Sequence, residues 1–173
     1  VVLRATDPDL LWDISAAFRH LVDLPDDDNP PILNIDVWES EDEPSPYPRL
    51  PFARASNRYF YYRCDDYKGS LDLKSGQMLI CVQRRTNTFF AHPFRRMLWR
   101  WYAGQEVFPL QGALVAHKGS AIFVCGERGS GRSSAVVECV QAGWDFLADS
   151  QAGVSRSGDL FTGYCLFACI KLE

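Results

Sequence analysis

The segment Gly126-Glu127-Arg128-Gly129-Ser130-Gly131-Arg132-Ser133 constrains this chain more than any other. It follows a wholly apolar run, Ala121-Ile122-Phe123-Val124-Cys125, read as a strand, and it leads into a helix from about Arg132 to Gln141. First glycine, last glycine and hydroxyl stand at the spacing of a Walker A phosphate loop, with arginine where lysine is expected. Glycines let successive backbone N–H groups turn inward around an anion, and the following helix aims its partial positive end at the same point. Ser133 stands where a hydroxyl would hold Mg²⁺, and Arg132 where a basic side chain would reach the outer phosphates. The expected phosphate-site residues are Gly126, Arg128, Gly129, Ser130, Gly131, Arg132, Ser133 and Ser134. An ordinary glycine-rich connection is the plainer alternative, but strand, loop, hydroxyl and helix arrive in the required order. Arginine keeps the charge yet is longer, planar and forked. Phosphate affinity is therefore expected to outlast placement of a transferring phosphoryl group, which depends on positioning.

The rest of the chain sets the class. Its 173 residues suffice for one domain with a core, or for a domain with a small appendage. A net charge of −4 disfavours general nucleic-acid binding. No apolar run reaches membrane-span length, and Val1-Val2-Leu3-Arg4 lacks a signal-peptide layout, so a cytoplasmic location without membrane partners is expected. The six cysteines include no C-x-x-C pair, and the three histidines have no zinc-ligand spacing. Reduced core thiols are the expectation.

Asp7-Pro8 reads as an N-cap with proline at the first helical position, followed by a face of Leu10, Leu11, Ile14, Ala17, Phe18 and Leu21. Pro25 and the run from Asp26 to Pro31 end that helix. Leu33, Ile35 and Val37 alternate with polar or amphipathic neighbours as a half-buried strand, and Glu39 to Pro51 reads as an exposed acidic, proline-rich loop. Tyr59–Cys64, Ser70–Leu73 and Met78–Gln83 suggest an antiparallel meander. Pro93 to Ala103 reads as an amphipathic helix with Phe94, Met97, Leu98 and Trp101 inside and Arg95, Arg96 and Arg100 outside. An arginine–aromatic nucleic-acid patch is the less economical account of those residues. Further strands are expected at Leu110–Ala116, Trp144–Ala148, Ala152–Arg156, Leu160–Tyr164 and Leu166–Leu172, with a turn at His117 to Ser120.

From Phe108 to Asp149, about a quarter of the chain, the sequence resembles the HPr kinase/phosphorylase family, including kinases of peptide-modification clusters. The resemblance rests on Gln111-Gly112-Ala113-Leu114-Val115-Ala116, on Ala121 to Cys125 entering the glycine-rich loop, and on Ala142-Gly143-Trp144 followed by Phe146-Leu147-Ala148-Asp149. It implies an α/β (α+β) fold with a mixed, largely antiparallel sheet. The chain is expected to divide into an N-terminal part (1–90) of helix and antiparallel strands, either an appendage or the first half of a single domain, and a phosphate-loop core (91–173). The resemblance also implies ATP or another nucleotide with Mg²⁺, phosphoryl transfer to a serine of a peptide or protein, and homo-oligomeric assembly.

Carried across position by position, Gln111 replaces the family's histidine, Arg132 its lysine, and Asp149-Ser150 its pair of aspartates. Asp149 and Gln111 are the catalytic candidates, and Ser133 with Asp149 the metal candidates. Gln111 cannot titrate near neutrality, and Ser150 brings no charge. The expected function is thus a catalytically impaired relative that binds nucleotide and a peptide or protein partner. The alternatives are an active serine kinase using Arg132, and an interaction module without nucleotide. His20, His92, His117 and Asp65-Asp66 are expected to be structural or solvated.

Overall fold

A computed structural model describes residues 1–21, 33–42, 51–127 and 129–167. Strand β1 (Val2–Ala5) leads into helix α1 (Pro8–Ser15), which tightens into a 3₁₀ turn over Ala16–Leu21. Asp7 caps α1 through its side chain, which accepts the Asp9 N–H at 2.9 Å, and Pro8 begins the helix as the sequence suggests. Five further strands follow: β2 (Asn34–Glu39), β3 (Phe52–Ala55), β4 (Tyr59–Arg63), β5 (Tyr67–Asp72) and β6 (Gln77–Val82). They join β1 in one sheet of order β1-β2-β6-β5-β4-β3. The pairs β1–β2 and β2–β6 are parallel, while β6, β5, β4 and β3 form the antiparallel meander.

Period-two alternation decides which face is covered. Ile35 and Val37 of β2 lie across from Met78 and Ile80 of β6, and all four are buried. Helix α1 seats Leu10 and Ile14 in the same core. Helix α3 (Arg95–Ala103) adds Met97, Leu98 and Trp101. Between them runs a short helix, α2 (Asn87–Ala91), whose Phe89 amide bonds to the Thr86 hydroxyl at 3.1 Å. The opposite face of the sheet is largely open and carries polar pairs such as the Arg58–Asp72 bridge at 2.8 Å. Burial of apolar area on one face is the main favourable term holding this layer together.

Gly69 of β5 marks a close approach. A Cβ there would stand 2.7 Å from Ile80 Cδ1 and 2.8 Å from the Leu79 carbonyl oxygen. Gly69→Val is therefore expected to lower unfolding free energy by about 1–3 kcal/mol, the usual cost of overpacking, as read from the denaturant midpoint.

The remaining strands form two small antiparallel sheets. One has the order β10-β8-β9, from β8 (Ala113–His117), β9 (Ser120–Val124) and β10 (Asp145–Ala148). The other has the order β12-β11-β7, from β7 (Phe108–Leu110), β11 (Ala152–Ser157) and β12 (Leu160–Cys165). Helix α4 (Arg132–Gln141) packs on β8 through Val136, in a cluster with Ala113 and Val115. Leu114 points the other way, into a cluster with Ala148 and Ala152, and abuts Gly163 of β12. Strand β8 is thus covered on both sides. Leu166 and Phe167 return to the first core, where the Phe167 ring lies 5.9 Å from that of Phe18.

Several expectations change. The strand anticipated over Leu110–Ala116 is two strands, broken at Gln111-Gly112 where the chain passes from one small sheet to the other. Gly112 fits beneath the Phe123 ring, and its N–H reaches the Ser150 carbonyl at 3.3 Å. The apolar strand before the glycine-rich loop is an edge strand, with Ala121 and Ile122 exposed. Cys125 is exposed rather than a core thiol. Helix α3 begins at Arg95, because Phe94 takes the left-handed conformation at φ 53°. Strands β1 and β3 and helix α2 were not expected. Leu166 and Phe167 lie beyond the last strand, while the remainder of that expected strand, the Pro25–Pro31 stop, Cys169 and most of the acidic loop lie outside the described residues. No helix among the described residues is long and apolar enough to cross a membrane.

His20, expected to be structural or solvated, is part-buried against the end of β12. Its Nε2 lies 3.2 Å from the Cys165 carbonyl, its Nδ1 is shielded without a partner among the described residues, and desolvation pushes its pKa below the ordinary 6.5. The unfolded chain then binds the proton more readily than the folded one. Stability from this group is present above pH 6.5 and is lost as pH falls through the lowered folded value. His20→Gln should flatten that part of the stability–pH curve, measurable by chemical unfolding at stepped pH.

Candidate phosphate-binding site

The glycine-rich segment joins β9 to α4, the order that phosphate binding at a helix N-terminus requires. Gly131 is the N-cap of α4, at φ 84° and ψ 15°, and offers no side chain to cap the helix. That left-handed conformation suits glycine and strains a residue with a Cβ. The Ala135 amide makes the first helical pairing, donating to the Gly131 carbonyl at 2.9 Å. The amides of Arg132, Ser133 and Ser134 therefore lie at the uncapped end, where a helix has no intrahelical acceptor to offer them. The loop curls back on itself: a Cβ built on Gly126 would lie 2.5 Å from Ser130 Oγ and 3.9 Å from Arg132 Cδ. The Ser130 amide closes the turn on the Glu127 carbonyl at 3.1 Å.

Ser133 and Asp149 come together across the sheet. The Ser133 hydroxyl donates to Asp149 Oδ2 at 2.9 Å, and the Asp149 side chain is buried, with 2% of the residue exposed. Strand β10, antiparallel to β8, delivers Asp149 at its end; Val136 of α4 packs on β8 and fixes the helix carrying Ser133. Arg132 is half-buried, and its Nη1 is shielded from solvent with no hydrogen-bond partner among the described residues. A shielded cationic nitrogen without an acceptor is costly unless an anion meets it. Gly129, Ser130 and Ser134 lie at the exposed rim, and Arg128 falls outside the described residues.

Gln111 is exposed at the strand break that Gly112 ties to Ser150, which places its backbone beside the acidic position. Ser150 itself has φ 69°. Gln151, absent from the sequence expectations, is buried beside Asp149 with Oε1 unpaired among the described residues. A lone glutamine after an expected strand gives no signal of such burial.

The other polar candidates lie apart from this constellation. Asp66 serves the first sheet, accepting from the Thr86 hydroxyl at 3.2 Å. His92 meets Phe167 edge-on at 5.1 Å, and His117, expected to be solvated, instead stacks on Trp144 at 5.1 Å.

No cluster of three or more His, Cys, Asp or Glu suited to a metal occurs among the described residues. One carboxylate and one hydroxyl are nonetheless a donor set that Mg²⁺ accepts when phosphate and water complete its octahedron. A scan against protein-family models finds no match for the chain, and a search of curated proteins finds none either.

Proposed function

We propose that the chain binds a nucleotide, ATP in the first instance, by its phosphates at Gly126 to Ser134. We further propose that it is a catalytically impaired relative of the HPr-type serine kinases, acting by engaging a peptide or protein partner that carries a serine. The observation that carries the reading is the Ser133–Asp149 contact of 2.9 Å beside the uncapped start of α4. Amides of the first helical turn and the Arg132 guanidinium would hold the phosphates. Ser133 and Asp149 would hold Mg²⁺, whose chemistry there is to neutralise phosphate charge.

Impairment follows from the side chains around this pair. Gln111 cannot exchange a proton near neutrality, and Ser150 adds no second carboxylate. Arg132 binds phosphate as a planar fork, so it does not reproduce the point charge of a lysine. Asp149 alone keeps the means to orient or deprotonate an acceptor hydroxyl. Its burial is the one feature favouring an active kinase, in which Asp149→Asn would abolish transfer while leaving nucleotide affinity largely intact.

The impaired reading expects Mg-ATP and ADP to raise the thermal midpoint, since a ligand that binds only the folded state must stabilise it. It expects no ATP consumption above background with serine-containing peptides. Sustained turnover would overturn the impairment. In the Asp149→Asn protein, the advantage of Mg-ATP over ATP in EDTA should shrink, while stabilisation by metal-free ATP persists. An unchanged magnesium dependence would remove Asp149 from the metal site.

A further inference from the structure

A second site lies on the first sheet, away from the glycine-rich loop. On the helix-facing side of edge strand β3, Ala53 stands across from Tyr62, and Ala55 across from Phe60. The small Ala53 side chain lines a notch at the sheet margin that α3 does not fill. A groove of about 450 Å³ opens there, walled by Phe60 and Tyr62 on one side and Arg96, Trp99 and Arg100 on the other. Such a volume suits a few side chains of a ligand.

The chemistry of the walls is one-sided. The Arg96 guanidinium lies 5.1 Å from the Trp99 ring centre and that of Arg95 lies 5.6 Å away, as cation–π partners. No carboxylate reaches ion-pair distance of Arg95, Arg96 or Arg100 among the described residues. Trp99 Nε1–H is shielded and has no acceptor among them. The Phe60 and Tyr62 rings stack at 6.4 Å. The groove thus offers positive charge and aromatic surface, on a chain whose net charge is −4. Its ligand must supply carboxylate-like acceptors together with an apolar group. Beside it, β3 ends the sheet among the described residues and all four of its residues are exposed, so an extended chain can pair with its backbone edge. That edge favours a peptide over a nucleic-acid strand, which has no such ladder to extend and would meet few cations on a net-negative protein.

We propose that this groove binds an extended acidic peptide segment of a partner protein, laid along β3. Its carboxylates face Arg96 and Arg100, and an aromatic or aliphatic side chain rests on Phe60, Tyr62 and Trp99. The proposal rests on the partner-binding half of the function above and makes no use of the phosphate site.

The test titrates the protein into fluorescein-labelled Glu-Phe-Asp-Leu-Glu-Tyr, into its counterpart with lysine at each acidic position, and into a labelled oligothymidylate, with anisotropy as the readout. Saturable binding of the acidic peptide alone is expected, weakened at least about tenfold in the Arg96→Ala/Arg100→Ala protein and as strongly by Ala53→Leu, which fills the notch without changing charge. Thermal stabilisation by Mg-ATP, measured on the same variants, should persist. Its absence in the parent protein would count against the phosphate site, whereas the peptide results bear on the groove. Absence of saturable peptide binding, equal binding of the lysine peptide, preference for the oligothymidylate, or indifference to both variants would each overturn the proposal.

Discussion

Phe94→Ala is expected to cost about 3–5 kcal/mol of stability, more than any other single change considered for this fold. Phe94 is wholly buried, and its ring meets Phe89 at 5.5 Å and Tyr67 at 6.2 Å, both edge-on. Truncation removes those contacts and leaves a cavity that the sheet beneath can only partly close. At the usual dependence for a domain of this size, the thermal midpoint should fall by roughly 6–20 °C. Phe94→Leu keeps much of the volume and should cost clearly less. The left-handed backbone, at φ 53°, is retained by both variants, so their difference isolates ring packing from conformational strain. Equal midpoints for the two proteins would show that Phe94 is not a core residue.

Gly131→Val should have the largest effect on ligand binding with a small effect on the fold. No atom lies within 4 Å of a Cβ at this position, so the substitution meets no clash. The conflict is conformational: φ 84° places valine in a region that costs it about 1–2 kcal/mol, more for a branched side chain. The chain can relieve that strain by rotating the N-cap, which turns the amides of Arg132 and Ser133 away from a common point. Affinity for Mg-ATP should fall at least about tenfold, while global stability falls by no more than the strain itself. Isothermal titration beside a denaturant midpoint separates the two. Undiminished affinity would remove the helix start from the binding site.

These two residues also show what could be read from the sequence. Around Gly131 nearly everything was legible: the helix expected from Arg132 to Gln141 is α4 as found, and the loop enters from a strand. Glycines and an apolar run are local signals, and a strand-to-helix turn is built locally. Phe94 was legible as core but not as the left-handed N-cap that starts α3, because Pro93 suggests the helix two residues early. The split at Gln111-Gly112 was hidden for a tertiary reason: no proline or charge interrupts Leu110 to Ala116, and only the Phe123 ring and the Ser150 carbonyl decide where the strand changes sheets.

Exposure of β9 was hidden in the same way. An apolar run shows that burial is favourable, not whether a neighbouring strand arrives to provide it. Strands β1 and β3 carry too little pattern to stand out, and Ala53, one of the alanines that make β3 inconspicuous, lines the groove beside α3. Within the phosphate site, Ser133 and Asp149 were each nominated from position, but their 2.9 Å contact depends on β10 and α4 both packing against β8.

The most direct measurement is the response of individual backbone amides to Mg-ATP in a ¹⁵N-labelled sample. If the start of α4 gathers its N–H groups around a phosphate, the largest shifts should fall on Gly131, Arg132, Ser133 and Ser134, saturate together, and vanish in Gly131→Val. Shifts that spare these four, or no response at concentrations that saturate ordinary nucleotide sites, would contradict a phosphate site at this helix.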